Sequence, residues 1–160
     1  MNNTVKNLLT IFAGIGLALL ILQFVQPTLV SGDSMDPYLK HHDYLIMNKN
    51  IYRHSDPEYG DIVIFPREGK LLIKRVIGKP GDTIDIKEGK VYRNGEAIDD
   101  YTDLYTEPEM TRALDEDEYF VLGDNRTVSL DSRSPDVGTV RKSEIIGKAF
   151  LRLFPRTGKI

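Results

Sequence analysis

The N-terminal part of the chain is a long, uninterrupted run of apolar positions. Residues 8–25 include no charged residue, and leucine, isoleucine and phenylalanine dominate them. A helix of this length reaches across the hydrocarbon core of a bilayer. Proline disfavours helical geometry in the residue before it, so the helix is expected to end at Pro27. The pattern predicts a transmembrane helix over residues 8–27, after a short cytoplasmic N-terminus of residues 1–7.

Residues 28–160 show a different pattern, in which short apolar segments alternate with clusters of Gly, Pro, Asp and Asn. Such segments, rich in β-branched and aromatic residues, are typical of β-strands. They occur at residues 44–47, 61–65, 71–77, 83–86, 90–92, 119–122 and 144–154. Glu88-Gly89 and Asn94-Gly95 predict two tight hairpin turns. We therefore predict one mostly β domain, a small barrel or sandwich.

Residues 96–118 are acidic and lack a regular apolar pattern. They have neither the alternating acids nor the central glycine of a calcium-binding loop. A solvated loop region is expected here, with one short helix around residues 110–114.

Composition narrows the functional classes. The chain has 160 residues and a net charge of -3, with acidic and basic residues mixed along its length. This distribution does not provide the one-sided basic field that nucleic-acid binding needs. There is no cysteine, so any covalent chemistry must use oxygen or nitrogen.

The charges around the apolar run indicate its orientation. Lys6 precedes the run and a charged domain follows it, so the positive-inside bias places the domain outside the cytoplasm. A cleaved signal peptide is the alternative, with a site at Val30-Ser31-Gly32. The run is longer than that of a usual signal peptide, and this cut would fall beside Ser34, so we favour an anchor.

Ser34 is the centre of the segment Ser31-Gly32-Asp33-Ser34-Met35-Asp36-Pro37, close after the apolar run. A serine in this setting is either a turn residue or a nucleophile, and a nucleophile needs a base. The three histidines lie in polar stretches and are interpreted as surface residues: His41, His42 and His54.

Lys74 breaks the pattern of its segment. Side chains alternate along a strand, so Lys74 shares a face with Leu72 and Val76. At a sheet edge it would extend into solvent. Alternatively, apolar neighbours desolvate it, which lowers the pKa of the amine to about 7–8 and lets it act as a general base. Ser34 and Lys74 would then form a Ser/Lys dyad.

A dense polar run at residues 123–133 follows a predicted strand and has the composition of a turn. Asp131 and Arg133 can pair to stiffen it. Ser129 can hydrogen-bond the lysine amine and hold it toward Ser34.

Together these segments resemble the type I signal peptidases, membrane-bound serine proteases that remove signal peptides from exported proteins. The nucleophile box of that family is similar to residues 31–39, its lysine box to residues 74–82, and its last box to residues 123–133. Residues 60–65 are similar to the strand segment before the lysine box. The resemblance covers the chain from the apolar run onward, except residues 96–118.

The resemblance implies a role for each residue of these boxes. Ser34 would be the nucleophile, Lys74 the general base and Ser129 the partner of the lysine. Asp131 and Arg133 would form a structural ion pair. This chemistry requires no metal ion or organic cofactor.

Three residues of the nucleophile box carry further expectations. Met35 would lie in the substrate cleft. Tyr38 stands where a threonine is usual, and Gly32 stands where two-span members carry a serine that donates to the oxyanion. The oxyanion hole would therefore rest more on the Ser34 backbone N–H. A serine at Gly32 is expected to keep or raise the rate, provided that the backbone angles there suit a residue other than glycine.

The implied protein is a single-pass protein of the bacterial plasma membrane with an extracytoplasmic catalytic domain. Its partners would be the lipid bilayer and signal-peptide-bearing preproteins with small side chains at the first and third positions before the cut. The oligomeric state stays open. A self-cleaving repressor-type Ser/Lys protease is an alternative, but it needs a DNA-binding domain where the apolar run stands. A non-catalytic membrane-tethered binding module is another, and the intact Ser34, Lys74 and Ser129 argue against it.

Overall fold

The computed structural model describes residues 2–98, 101–155 and 157–160. One helix precedes a series of strands, in the order α1 Asn3–Phe24, β1 Val25–Leu29, β2 Tyr44–Asn48, β3 Ile62–Arg67, β4 Lys70–Gly78, β5 Thr83–Lys87, β6 Lys90–Arg93, β7 Glu96–Ala97, β8 Met110–Ala113, β9 Glu118–Leu122, β10 Val140–Arg141, β11 Gly147–Phe154 and β12 Gly158–Lys159. Short 3₁₀ helices occur at Ile51–Arg53 and Lys142–Glu144.

The helix α1 is almost wholly apolar from Leu8 onward and buries none of its residues against the domain. Its length and composition are sufficient to cross a membrane. The helix ends at Phe24, earlier than the predicted residue 27, because β1 begins at Val25 and pairs with β2. Pro27 fits this edge strand, where its missing N–H leaves no ladder bond unmade.

The strands form two antiparallel sheets. The large sheet has the order β1-β2-β11-β3-β4-β9-β10, with β12 beside β11, and the small sheet has the order β7-β6-β5-β8. Neither closes into a barrel, and the arrangement is sandwich-like. The prediction of a mostly β domain is therefore confirmed. The hairpin turns are also confirmed, since Glu88, Gly89, Asn94 and Gly95 all have positive φ angles.

Three apolar clusters form the core of the domain. One joins the two sheets, with Ile77 and Phe120 of the large sheet against Ile84 and Ile86 of the small sheet. The other two are centred on β3, whose residues alternate between them: Val63 and Phe65 belong to one, Ile62 and Ile64 to the other. The neighbouring strand β4 is buried from Lys74 to Gly78, whereas its first residues, Lys70 and Leu71, are exposed.

The short helix expected at residues 110–114 is absent, and this prediction is wrong. Residues Met110–Ala113 form β8, which pairs with β5 in the small sheet. Thr111 Oγ1 donates a hydrogen bond to Asp85 across the pair, at 2.6 Å. Pairing with an available strand edge outweighs local helix preference here. Asp99 and Asp100, in the same acidic region, lie outside the described residues.

Candidate active site

Ser34 lies in a tight turn between β1 and β2. The flanking side chains of Met35 and Leu39 are buried in the core, and the Leu39 N–H donates to the Met35 carbonyl at 2.8 Å. The Ser34 carbonyl accepts a hydrogen bond from the Asn125 N–H at 3.0 Å, which ties the turn to the loop after β9. Ser34 is therefore fixed by the buried residues of its own turn and by the loop after β9, and it remains partly accessible.

Lys74 reaches Ser34 from β4. Its Nζ donates to Ser34 Oγ at 2.7 Å and to the Ile73 carbonyl at 2.9 Å. The residue is 2% exposed, so the alternative in which the lysine extends into solvent at a sheet edge does not hold. The structure thus brings the two predicted dyad residues into direct contact across 40 positions of sequence.

Burial lowers the pKa of Lys74 to about 8. The nearby carboxylates of Asp131 and Asp124 act in the opposite direction, since negative charge favours the ammonium form. Each carboxylate is paired with an arginine: Asp131 with Arg133 at 2.8 Å, and Asp124 with Arg75 at 2.6 Å. Because these charges are largely neutralised, desolvation prevails and the amine can lose its proton near neutral pH.

The predicted ion pair between Asp131 and Arg133 is present. The Asp131 carboxylate also accepts the Gly123 N–H at 3.0 Å. Arg133 donates further to the Arg126 and Glu107 carbonyls, both at 2.8 Å. The pair thus joins the loop after β9 to the acidic region, which gives that region a structural role at the site.

The pair of Arg75 with Asp124 was missed from the sequence. Both residues are buried, and the guanidinium carbon lies over the rings of Tyr38 and Tyr101, at 4.6 and 4.4 Å from their centroids. The partners are 49 positions apart, so no local pattern connects them. The stacking gives Tyr38, the residue at the unusual position of the nucleophile box, a contact of its own.

Ser129 lies beside the dyad without making the predicted hydrogen bond to the lysine. Its Oγ is buried and has no hydrogen-bond partner within the described residues. It is close to both Gly123 and Ser34: a Cβ placed on Gly123 would lie 2.2 Å from Ser129 Oγ and 2.4 Å from the Ser34 carbonyl oxygen. A larger side chain at Ser129 or at Gly123 would therefore displace the turn that carries Ser34.

Gly32 has a φ of +95°, which side chains disfavour, so the condition attached to a serine at this position is not met. Its N–H donates to His41 Nδ1 at 3.0 Å. The exposure expected for His41, His42 and His54 is confirmed. The contact of His41 with the nucleophile turn was not expected.

A cleft of about 280 Å³ opens beside the dyad. Its walls are β1 with the turn that follows, and the first half of β4; Met35 lines it next to Ser34. β1 is the outermost strand of the large sheet. In β4, pairing with β9 begins only at Arg75, so residues 71–74 pair with β3 alone among the described strands. Within the described residues, two backbone edges without strand partners therefore line the cleft.

The chain is similar to known peptidases over most of its length. The family model described as signal peptidase, peptidase S26, matches residues 2–154. A probable signal peptidase I-2 of Synechocystis sp. is 36% identical, over 91% of this chain and 71% of the relative. A signal peptidase I of Bacillus amyloliquefaciens is 34% identical, over 91% of this chain and 85% of the relative. The crystal structure of a signal peptidase I from Enterococcus faecalis matches 59% of this chain and 97% of its own, with a TM-score of 0.52 and 30% identity.

Proposed function

Since the chain belongs to the signal peptidase family, peptidase S26, we propose that it is a membrane-bound serine endopeptidase that removes N-terminal signal peptides from secreted preproteins. One observation carries the assignment of the chemistry: the 2.7 Å hydrogen bond between Lys74 Nζ and Ser34 Oγ. An amine with a pKa of about 8 is neutral in roughly one molecule in ten at pH 7 and can accept a proton.

The reaction begins when the neutral Lys74 amine takes the proton of the Ser34 hydroxyl. Ser34 Oγ forms a bond to the carbonyl carbon of the scissile peptide bond, whose oxygen becomes an oxyanion. The intermediate collapses, the C–N bond breaks, and the Lys74 ammonium returns its proton to the leaving amine. Water then attacks the acyl-enzyme with Lys74 again as base, which releases the signal peptide and restores Ser34.

The backbone of the nucleophile turn is the source we propose for oxyanion stabilisation. No hydrogen bond from the Ser34 N–H is found in the part of the chain that the structure describes, so this donor can serve a substrate oxygen. Gly32 contributes no side-chain donor. The hole therefore relies on Ser34, whose position the Asn125 contact fixes.

The preprotein binds as an extended strand between the edges of β1 and β4. Free backbone groups on both edges can pair with the substrate main chain. Met35 and Ile73 line the cleft beside the dyad. Their apolar side chains suit the small residues that the family resemblance implies at the first and third positions before the cut.

The apolar helix anchors the enzyme as a single pass in the bacterial plasma membrane. Every residue of α1 is exposed, so lipid is the environment that this surface suits. Lys6 favours a cytoplasmic N-terminus, which puts residues 28–160 on the extracytoplasmic side. Exported preproteins reach the dyad there.

A precursor-processing assay tests the proposal. Membranes containing the wild-type chain should shorten a secretory precursor. Ser34→Ala should leave the precursor intact while retaining normal expression and membrane association. His54→Ala, at an exposed position, is the matched control and should cleave like the wild type. Cleavage by Ser34→Ala, or none by the wild type, would refute the assignment.

A further inference from the structure

The C-terminal end of α1 is fastened to the domain by two side chains. A helix leaves its last four carbonyl groups without partners inside the helix. Lys49 Nζ donates to the Leu22 carbonyl at 2.9 Å, and Asn50 Nδ2 donates to the Gln23 carbonyl at 3.2 Å. The Lys49 N–H donates to the Phe24 carbonyl at 2.9 Å. Three of the four carbonyls are therefore bonded to the turn after β2.

The turn that supplies these donors is itself fixed. The Asn50 N–H donates to Asn48 Oδ1 at 2.9 Å, and Asn48 pairs with Val25 at the start of β1. Lys49 also places a cation at the negative end of the helix dipole. Since β1 follows α1 without an intervening loop, the helix end, β1 and this turn form one connected unit.

When the substrate is also held by the bilayer, a fixed helix end limits where the active site can meet it. In α1 the contacts oppose bending between helix and domain, and so they hold the dyad at one height above the membrane surface. The apolar segment of a preprotein occupies the same bilayer. The distance from that segment to the scissile bond must then match the height of Ser34.

We propose that Lys49 and Asn50 are positioning residues that set the height of the active site above the membrane. Through that height they select preproteins by the length of the spacer between the apolar segment and the cleavage site. The inference rests on the proposed function and on α1 crossing the bilayer. Lys49 and Asn50 touch neither the dyad nor the cleft, so their effect is confined to membrane-held substrates.

The test uses the full chain reconstituted in phospholipid vesicles. One set of substrates is a series of preproteins that differ only in spacer length, and the other is a short soluble peptide with the same cleavage site. The variants are Lys49→Ala with Asn50→Ala, and Lys49→Arg, which keeps a cationic donor. Lys87→Ala is the matched control, because that lysine lies over the Tyr92 ring in the small sheet.

The wild type and Lys87→Ala should show one preferred spacer length. Each lost side-chain hydrogen bond changes an equilibrium by about two- to tenfold. The double variant loses two such bonds, so its rate at the preferred spacer should fall by about four- to 100-fold, and it should process the other lengths more evenly. Its kcat/KM on the soluble peptide should stay unchanged, and Lys49→Arg should keep the wild-type preference.

Two results would overturn the inference. One is a spacer preference that the double variant shares with the wild type. The other is an equal loss on the peptide and the preproteins, which would mean that the contacts support the dyad itself. A wild type that cleaves neither substrate would instead contradict the proposed function, so the two failures are distinguishable.

Discussion

Burial of Lys74 makes its amine a suitable base but lowers the free energy of unfolding at neutral pH. Its pKa of about 8 in the folded chain lies below the value of 10.5 that it has when solvated. The unfolded chain therefore binds more protons between these two values, and stability rises with pH across that window. Below pH 8 the buried ammonium costs about 3 kcal/mol, at about 1.4 kcal/mol per pKa unit.

Lys74→Met should remove that cost. At pH 7 the free energy of unfolding should rise by up to about 3 kcal/mol, and the gain should shrink as the pH approaches 10.5. Denaturant unfolding of the solubilised full chain at several pH values measures it. A variant that is less stable than the wild type at every pH would show that the contacts to Ser34 and Ile73 outweigh desolvation.

In the proposed mechanism, Arg133 keeps the dyad active near neutral pH by neutralising Asp131. Its charge lowers the pKa of Lys74, so Arg133→Gln should raise that pKa and move the midpoint of the pH–activity curve upward. A shift of one unit would lower activity at pH 7 by about tenfold. The measurement is kcat/KM against pH, with the exposed Arg53→Gln as control. A midpoint that stays in place or moves down would contradict this role.

We expect Gly32 to be needed for its backbone conformation, which has a positive φ. Gly32→Ser should reduce cleavage, because a side chain at a φ of +95° costs about 1–2 kcal/mol and displaces the turn before Ser34. Gly69→Ser is the matched control, since Gly69 also has a positive φ, of +75°, with open space around it in another turn. Acylation rates that fall equally in both variants, or in neither, would exclude a specific role for Gly32.

At the scale of elements, the sequence predicted those strands and turns whose formation depends on neighbouring residues. The β-branched segments became strands, and the two glycine turns became hairpins. β8 and the end of α1 could not be predicted, because each depends on pairing with a distant strand. In the site, Ser34 and Lys74 stood out by sequence, whereas the pair of Arg75 with Asp124 depends on how β4 and the loop after β9 meet.

Gly123, in the loop after β9, packs so closely against the nucleophile turn that we expect activity to be sensitive to its substitution. Gly123→Ala would place a Cβ 2.4 Å from the Ser34 carbonyl oxygen, so the turn must move. A displacement of about 1 Å in an active site can lower the rate by about 100-fold. Peptide cleavage measures the loss, and circular dichroism checks the fold. Gly158→Ala, in open space, should keep full activity; a fully active Gly123→Ala would contradict the packing.

At the scale of the whole molecule, the site is assembled where three distant parts of the chain converge. The turn after β1 supplies Ser34, β4 supplies Lys74 and Arg75, and the loop after β9 supplies Asp124, Asp131 and Arg133. The cleft opens along β1, the strand that continues directly from the apolar helix. Under the proposed function, a membrane-held substrate would meet the catalytic pair on this side of the domain.

The identity of the base is the central claim, and the pH dependence of Ser34 acylation tests it most directly. The rate on a soluble peptide should rise with a midpoint near pH 8, the pKa of Lys74. Lys74→Arg should be inactive throughout, because arginine stays protonated at any working pH. Activity that is lost in His41→Ala and retained in Lys74→Arg would contradict the account.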